Sequence, residues 1–380
     1  MIMRWIAVLS VLTLVGCGSA PYQTAAELDP TFESRVELSR DWTRKLQENS
    51  GFPMRQPFAP VVIANAVYAV INTGALAQMS LTTGQLEAQW DLGESVSIGL
   101  ATDGTSLYWG SENGDMVAMD LSGSELWRAR LTSRALSLPI IVGSVVYVQT
   151  QDGYLVALDQ KTGQQLWVYD DGVPRLTLHG DASPVVANGQ LMTSFASGRV
   201  VSFDPATGDQ LWSQNVGQIS GRSDLERLND ADGSPVIVNG TLLLASSYQG
   251  ETLLIDTQTG RTLTRYNVGS RHGVVPFADT LVIIDNDDVI VGVSPKNGEQ
   301  LWSIDSLKYR RLTDAVNWQG LVAFGDSFGW LHLVDPVSGD LVARFPSDHL
   351  GLSGKPVVEG NILLVQGDSG RLKAFSILGR

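Results

Sequence analysis

One hairpin is written into this chain repeatedly, at nearly fixed intervals. Its sharpest copy is Gly153-Tyr-Leu-Val-Ala-Leu-Asp159-Gln-Lys-Thr-Gly163-Gln-Gln-Leu-Trp167. An alternating apolar run ends in Asp, a Gly closes a tight turn, and a second short run ends in Trp. Met116 to Trp127 repeats it around Gly123, Val200 to Trp212 around Gly208, and Val289 to Trp302 around Gly298. Weaker copies turn at Gly84, Gly260 and Gly339, and a last one stops at Ser376-Ile-Leu-Gly379, one residue before the chain ends. The spacings between these glycines are 39, 40, 45, 52, 38, 41 and 40. Strands repeating about every 40 residues, with no helical periodicity between them, predict a β-propeller, and eight glycines predict eight blades.

Each repeat has room for four antiparallel strands. In the third they are expected at Leu138 to Val142, Val145 to Gln149, Tyr154 to Asp159 and Gln164 to Tyr169. Asn188-Gly189 and Asn239-Gly240 fill the first hairpin of later repeats, where both positions of a two-residue turn take positive φ. The last repeat lacks the strand that would follow Gly379. Upstream of the first lies Leu38-Ser-Arg-Asp-Trp42-Thr-Arg-Lys-Leu46, a strand-like run carrying the missing Trp. The N-terminal run is therefore expected to complete the C-terminal blade, which removes an open sheet edge. An all-β propeller over residues 38–380 allots about 43 residues to a blade.

Residues 1–16 hold a single basic residue, Arg4, followed by the apolar run Trp5 to Val15. That run is too short to span a bilayer and reads as a secretory signal peptide. Leu14-Val-Gly-Cys17 resembles the lipobox at which bacterial lipoproteins are cut and acylated. Cys17 is the only cysteine, so the chain can make no internal disulfide. Gly18 replaces the Asp that retains lipoproteins in the inner membrane, which implies a lipid anchor in the outer membrane of a Gram-negative bacterium, facing the periplasm. Residues 17–37, with Pro21 and Pro30 and no period, are expected to be a flexible tether. Without Arg4 the chain carries 25 basic against 40 acidic residues, a balance of −15. That argues against nucleic acid, whose phosphates need cations, and against broad adhesion to anionic lipid.

Trp42, Trp127, Trp167, Trp212 and Trp302 occupy equivalent places, so one structural task accounts for all: packing between blades, with each indole N–H on a nearby acceptor. Asp120, Asp159, Asp204, Asp256 and Asp335 precede the turn glycine, where a carboxylate can accept from backbone two residues on. The departures from the repeat are more informative. The two longest spacings place extra residues between Asp170 and Pro184 and between Gly217 and Pro235. Both connect a fourth strand to the next first strand, so they emerge side by side on one face, and loops on a rigid scaffold are where recognition sits. The first offers Leu176 and Leu178 alternating with Arg175 and His179; the second offers Asp230 and Asp232 beside Arg227. These are candidate partner-binding residues, apolar anchors next to charge. The alternative is that the two leucines cover a blade end.

The lipobox, the tether, the quinoprotein-type Trp repeats, Pro174-Arg-Leu-Thr-Leu-His-Gly180 and Leu228-Asn-Asp-Ala-Asp232 together resemble the BamB family, propeller lipoproteins of the outer-membrane β-barrel assembly (BAM) machinery. The resemblance covers essentially the whole chain. It implies a non-catalytic scaffold that docks on the periplasmic POTRA domains of BamA, assists insertion of β-barrels and meets unfolded outer-membrane proteins. It also implies that Leu176, Leu178, Asp230 and Asp232 touch that partner. His179 stands where the family carries Arg, so a permanent charge is replaced by one that is mostly neutral near pH 7.

Quinoprotein dehydrogenases share the repeat and are the catalytic alternative. They hold a quinone with calcium and commonly a disulfide between adjacent cysteines, for which this sequence has no second Cys. Asn229-Asp-Ala-Asp-Gly233 and Asp285-Asn-Asp-Asp288 lack the closing Glu of a calcium loop and read as Asx turns. The histidines at 179, 272, 332 and 349 have no zinc spacing. No cofactor, metal or catalytic residue is expected. A periplasmic peptide- or sugar-binding propeller, using blade edges or the central channel, is the third alternative.

Overall fold

The computed structural model describes residues 23–46, 58–174, 182–217, 231, 233–248 and 250–379. Their strands form eight antiparallel sheets of four. Blades one to seven span residues 61–91, 96–130, 140–170, 185–215, 236–266, 275–304 and 316–346. Blade eight takes three strands from residues 357–379 and its outer strand from Glu37–Lys45. Within blades one to seven strand order follows the chain, and the first strands of blades one and two, two and three, four and five, and seven and eight touch.

Alternation explains the ring. In the second and third strands nearly every side chain is buried, so successive residues point into opposite inter-blade spaces. Eight apolar clusters result, each shared by two neighbouring blades. Tyr108, Met116 and Trp127 of blade two meet Val146, Val148 and Val156 of blade three, and Leu364, Leu372 and Trp42 of blade eight meet Val67, Ala69 and Met79 of blade one. No blade buries both faces alone, so closure of the circle is a condition of the core.

The ring closes as expected. Glu37–Lys45 pairs antiparallel with Arg371–Gly379, from Glu37 opposite Gly379 to Lys45 opposite Arg371. One expectation changes. Gly84, Gly123, Gly163, Gly208, Gly260, Gly298 and Gly339 all have positive φ, but Gly379 ends an extended strand. The eighth repeat needs no turn glycine because its fourth strand arrives from the other end of the chain. In blade three the first strand begins at Ile140 rather than Leu138, since Pro139 has no N–H to give the ladder, and the fourth is Gln165–Asp170. Asn188, Gly189, Asn239 and Gly240 have φ of 52°, 73°, 51° and 72°, as a mirror-image hairpin turn requires.

The Trp ladder is wider than its spacing suggested. Indole N–H groups of Trp42, Trp90, Trp127, Trp167, Trp212 and Trp302 each donate to a carbonyl in the third-to-fourth turn of the next blade, at 2.7–3.0 Å. The Tyr266 hydroxyl does the same towards Pro295, at 3.0 Å. Trp90 and Tyr266 stand two residues further from their turn glycine than Trp127 does from Gly123. A shift of two keeps a strand residue on the same face, so the contact survives while the spacing is lost. Each expected Asp accepts turn N–H groups: Asp159 from Lys161 and Thr162 at 3.1 and 2.9 Å, Asp204 from Ala206 at 2.8 Å.

The fourth strands carry a β-bulge that the sequence pattern had not suggested. In blade three Ala157 pairs with Trp167 and Leu158 with Gln165, leaving Leu166 as the extra residue. Leu126, Leu211, Leu263 and Leu301 hold the same place, and these five leucines are 43–53% exposed. The blade-seven counterpart, Val342, is only 7% exposed. It is covered by the segment expected to be tether: Arg35 and Val36 donate backbone N–H to the Val342 carbonyl at 2.8 and 3.3 Å.

Candidate partner-binding site

Strand direction alternates along a blade, so every fourth-to-first connection and every second-to-third turn lies on one face, here the upper. The two long connections leave it from neighbouring blades. Arg175, Leu176, Leu178, His179, Asp230 and Asp232 lie outside the described residues, as does Cys17. The stems that carry them are described, and each is tied down.

The first stem leaves Gln165–Asp170 through Asp171, Gly172, Val173 and Pro174. The Asp171 side chain is fully buried; it pairs with the Arg199 guanidinium and accepts from the Ser197 hydroxyl at 2.5 Å. Burial pushes this carboxyl up, against the Ser197 and Arg199 bonds that favour the ion. A buried carboxylate is tolerated only when paired and hydrogen-bonded, so the direction in which the chain leaves blade three is closely specified. The Asp171 N–H donates to Gly153 at 3.2 Å and the Gly172 N–H to the Asp170 carboxylate at 2.8 Å.

The second stem leaves Gln210–Asn215 through Val216, whose N–H donates to Gly198 at 2.9 Å. It returns at Ala231, buried, with its N–H on the Phe195 carbonyl at 3.3 Å. The two connections then meet: the Ser183 N–H donates to the Ser234 hydroxyl at 3.0 Å. Gly172, Val173, Phe195 and Ala231 border a cleft of about 20 Å³, space for one water and too small for an organic ligand. Beneath it Tyr169, Phe195 and Phe203 form an aromatic wedge, with ring centroids 4.7–6.3 Å apart. The described part of the site is thus a firm base shared by the stems of the two long connections. No signal in the repeat pointed to Phe195 or Arg199.

Most of the candidate calcium loop at residues 229–233 lies outside the described residues, whereas Asp285, His272 and His332 are accounted for locally. Asp285 accepts from the N–H groups of Asp287 and Val289 at 2.9 and 2.8 Å, an Asx turn. His272 pairs with Asp314 at 2.8 Å and His332 with Asp326 at 2.9 Å. Among the described residues no three of His, Cys, Asp and Glu gather as a metal site.

Known proteins agree with this architecture. A family model described as outer membrane protein assembly factor BamB matches residues 87–304. The protein of that name from Yersinia pestis is 29% identical over 98% of both chains, and that from Escherichia coli is 27% identical over 97% of both. The crystal structure of BamB from Moraxella catarrhalis superposes with a TM-score of 0.81 at 26% identity, over 90% of this chain and all of that one. Quinohemoprotein alcohol dehydrogenase from Comamonas testosteroni reaches 0.69 at 13% identity, over 90% of this chain and 77% of its own, a likeness of fold alone.

Proposed function

The chain belongs to the family of outer membrane protein assembly factor BamB, and from that premise we propose that it is a non-catalytic scaffold of the β-barrel assembly machinery, anchored by a lipid on Cys17. It docks on the POTRA domains of BamA through Leu176, Leu178, Asp230 and Asp232, with Arg175 and His179 at the edge of the contact. The observation that carries this reading is the junction of the two stems, where Ser183 meets Ser234 and Ala231 meets Phe195. The stems of two loops from different blades are thereby held together, which supports their serving one partner.

A titration of residues 21–380 with the isolated POTRA region of BamA tests it. Saturable binding that falls at least tenfold in Leu176→Glu, Leu178→Glu and Asp230→Ala, with unchanged melting, is the expected result. Absence of binding by folded wild-type protein would sink the assignment of the partner.

A second role, holding unfolded β-barrel segments at blade edges, is supported by one feature. Chain residues 34–36 lie along the outer edge of blade seven, while the edges carrying Leu126, Leu166, Leu211, Leu263 and Leu301 remain open to solvent. An extended client strand could add to such an edge through main-chain bonds. Photo-crosslinkers at Leu166 and Leu211 that capture nascent barrel proteins would support this role; capture only from the two long loops would remove it.

A further inference from the structure

The N-terminal segment does not hang from the rim where its strand begins. Glu37 lies at the lower end of blade eight, opposite Gly379. Followed backwards from there, the chain climbs the outer edge of blade seven. Arg35 pairs with Asp340 at 3.0 Å, and Arg35 and Val36 donate to Val342. The Arg344 N–H donates to the Ser34 hydroxyl at 3.2 Å. The Arg344 guanidinium lies over the rings of both Phe32 and Trp330, 5.0 and 5.4 Å from their centres, and donates to the Asp29 carbonyl. Leu28 packs on the apolar cluster between blades six and seven.

At the top the segment is gripped by a buried polar group. The Ala26 N–H donates to Lys308 at 2.9 Å, and its carbonyl accepts from Arg310 at 2.8 Å. Arg310 is itself buried, bonded to Asp326 at 2.7 Å, and Asp326 in turn meets His332 at 2.9 Å. Lys308 and Arg310 belong to the connection between blades six and seven, which runs on the upper face with the two long loops. Residues 26–36 therefore span the full height of the disk.

We propose that residues 26–36 are a strap that delivers the N-terminal end to the upper face, so that the lipid on Cys17 and the partner-binding loops leave the disk on the same side and that side is turned to the bilayer. The orientation rests on the lipid anchor proposed above; the course of the strap does not. Reach decides the matter. Nine residue-to-residue steps lead from Ala26 to Cys17, at most about 30 Å of chain, whereas a tether freed back to Glu37 would have about 70 Å and could present either face.

The test uses the mature chain, residues 17–380, with a nitroxide on its sole cysteine, Cys17. Paramagnetic broadening is compared at two places on blade seven: Phe328 and Gly329 on the upper face, Val337 and Ser338 on the lower. The expected result is broadening of the first pair with the second sharp. Phe32→Ser with Arg344→Ala, both away from the core, should free the tether towards Glu37, so that broadening is no longer confined to the first pair and reaches Val337 and Ser338 as well. Hydrogen exchange should find the Ala26 and Val36 amides protected in the parent and fast in the variant. Equal or stronger broadening at Val337 in the parent overturns the strap. Failure of the acylated full chain to float with vesicles overturns the anchor, and the orientation with it, while leaving the strap's course to the broadening.

Discussion

The backbone N–H of Ser183 donates to the hydroxyl oxygen of Ser234 at 3.0 Å, so the ends of two long connections on neighbouring blades are fastened to each other. Ser234→Ala should cost about 1 kcal/mol of stability, the worth of one partly buried hydrogen bond. It should weaken POTRA binding more than it lowers the unfolding midpoint, because the two loops would no longer share one base. Denaturant titration beside a binding isotherm measures both; a loss of stability with affinity untouched would mean that the loops act independently.

Gly163 and Gly143 both have positive φ, 70° and 61°, but only the first is crowded. A Cβ at Gly163 would lie 2.5 Å from the Trp127 ring, whereas one at Gly143 would meet nothing within 4 Å. Gly143→Ala should cost only the left-handed backbone penalty, about 1–2 kcal/mol. Gly163→Ala adds a clash with the inter-blade tryptophan and should cost clearly more. Equal melting shifts would show that Trp127 moves aside freely.

Trp127 itself separates packing from hydrogen bonding. Its indole N–H meets the Gln160 carbonyl at 2.7 Å and its ring lies in the cluster between blades two and three. Trp127→Ala should lose about 3–5 kcal/mol, and Trp127→Phe clearly less, about 1–3 kcal/mol, an aromatic ring being kept while the bond and part of the buried volume are lost. Chemical denaturation of the two variants against the parent tests the difference.

Removing residues 38–46 should destabilise the entire ring, since Trp42 and Leu46 fill the space between blades eight and one. The buried Trp42 alone accounts for about 3–5 kcal/mol. A calorimetric scan should find the transition lowered as a whole; unchanged melting would show that the circle does not depend on its closing strand.

Acid should loosen the upper face at Asp314. Burial would push this carboxyl up, but the His272 hydrogen bond and charge outweigh it and hold it at about 2. A carboxylate whose folded pKa lies below its unfolded value stabilises the fold above about pH 4, and that stability fades as pH falls towards 2. The amount is at most about 2 kcal/mol, since the side chain is 30% exposed. Asp314→Asn should flatten the stability profile over that window, lowering stability by up to about 2 kcal/mol from pH 4 upwards and leaving it closest to the parent's near pH 2.

Local chemistry determined most of the scaffold. Turn glycines, the Asp before them and alternating apolar strands act over a few residues, so blade number, hairpin turns and the Trp contacts at Trp127, Trp167, Trp212 and Trp302 were all legible in order along the chain. The two long connections were legible too, as departures from a period. Trp90 and Tyr266 were not, because a contact between faces tolerates a shift of two residues that a spacing does not. Tertiary structure alone decided what joins residues far apart in sequence: Ser183 with Ser234, Asp171 with Arg199, and Ala26 with Arg310 across 284 positions. A polar pair of that kind leaves no periodic trace, since its strength comes from burial, and burial exists only once the ring has closed.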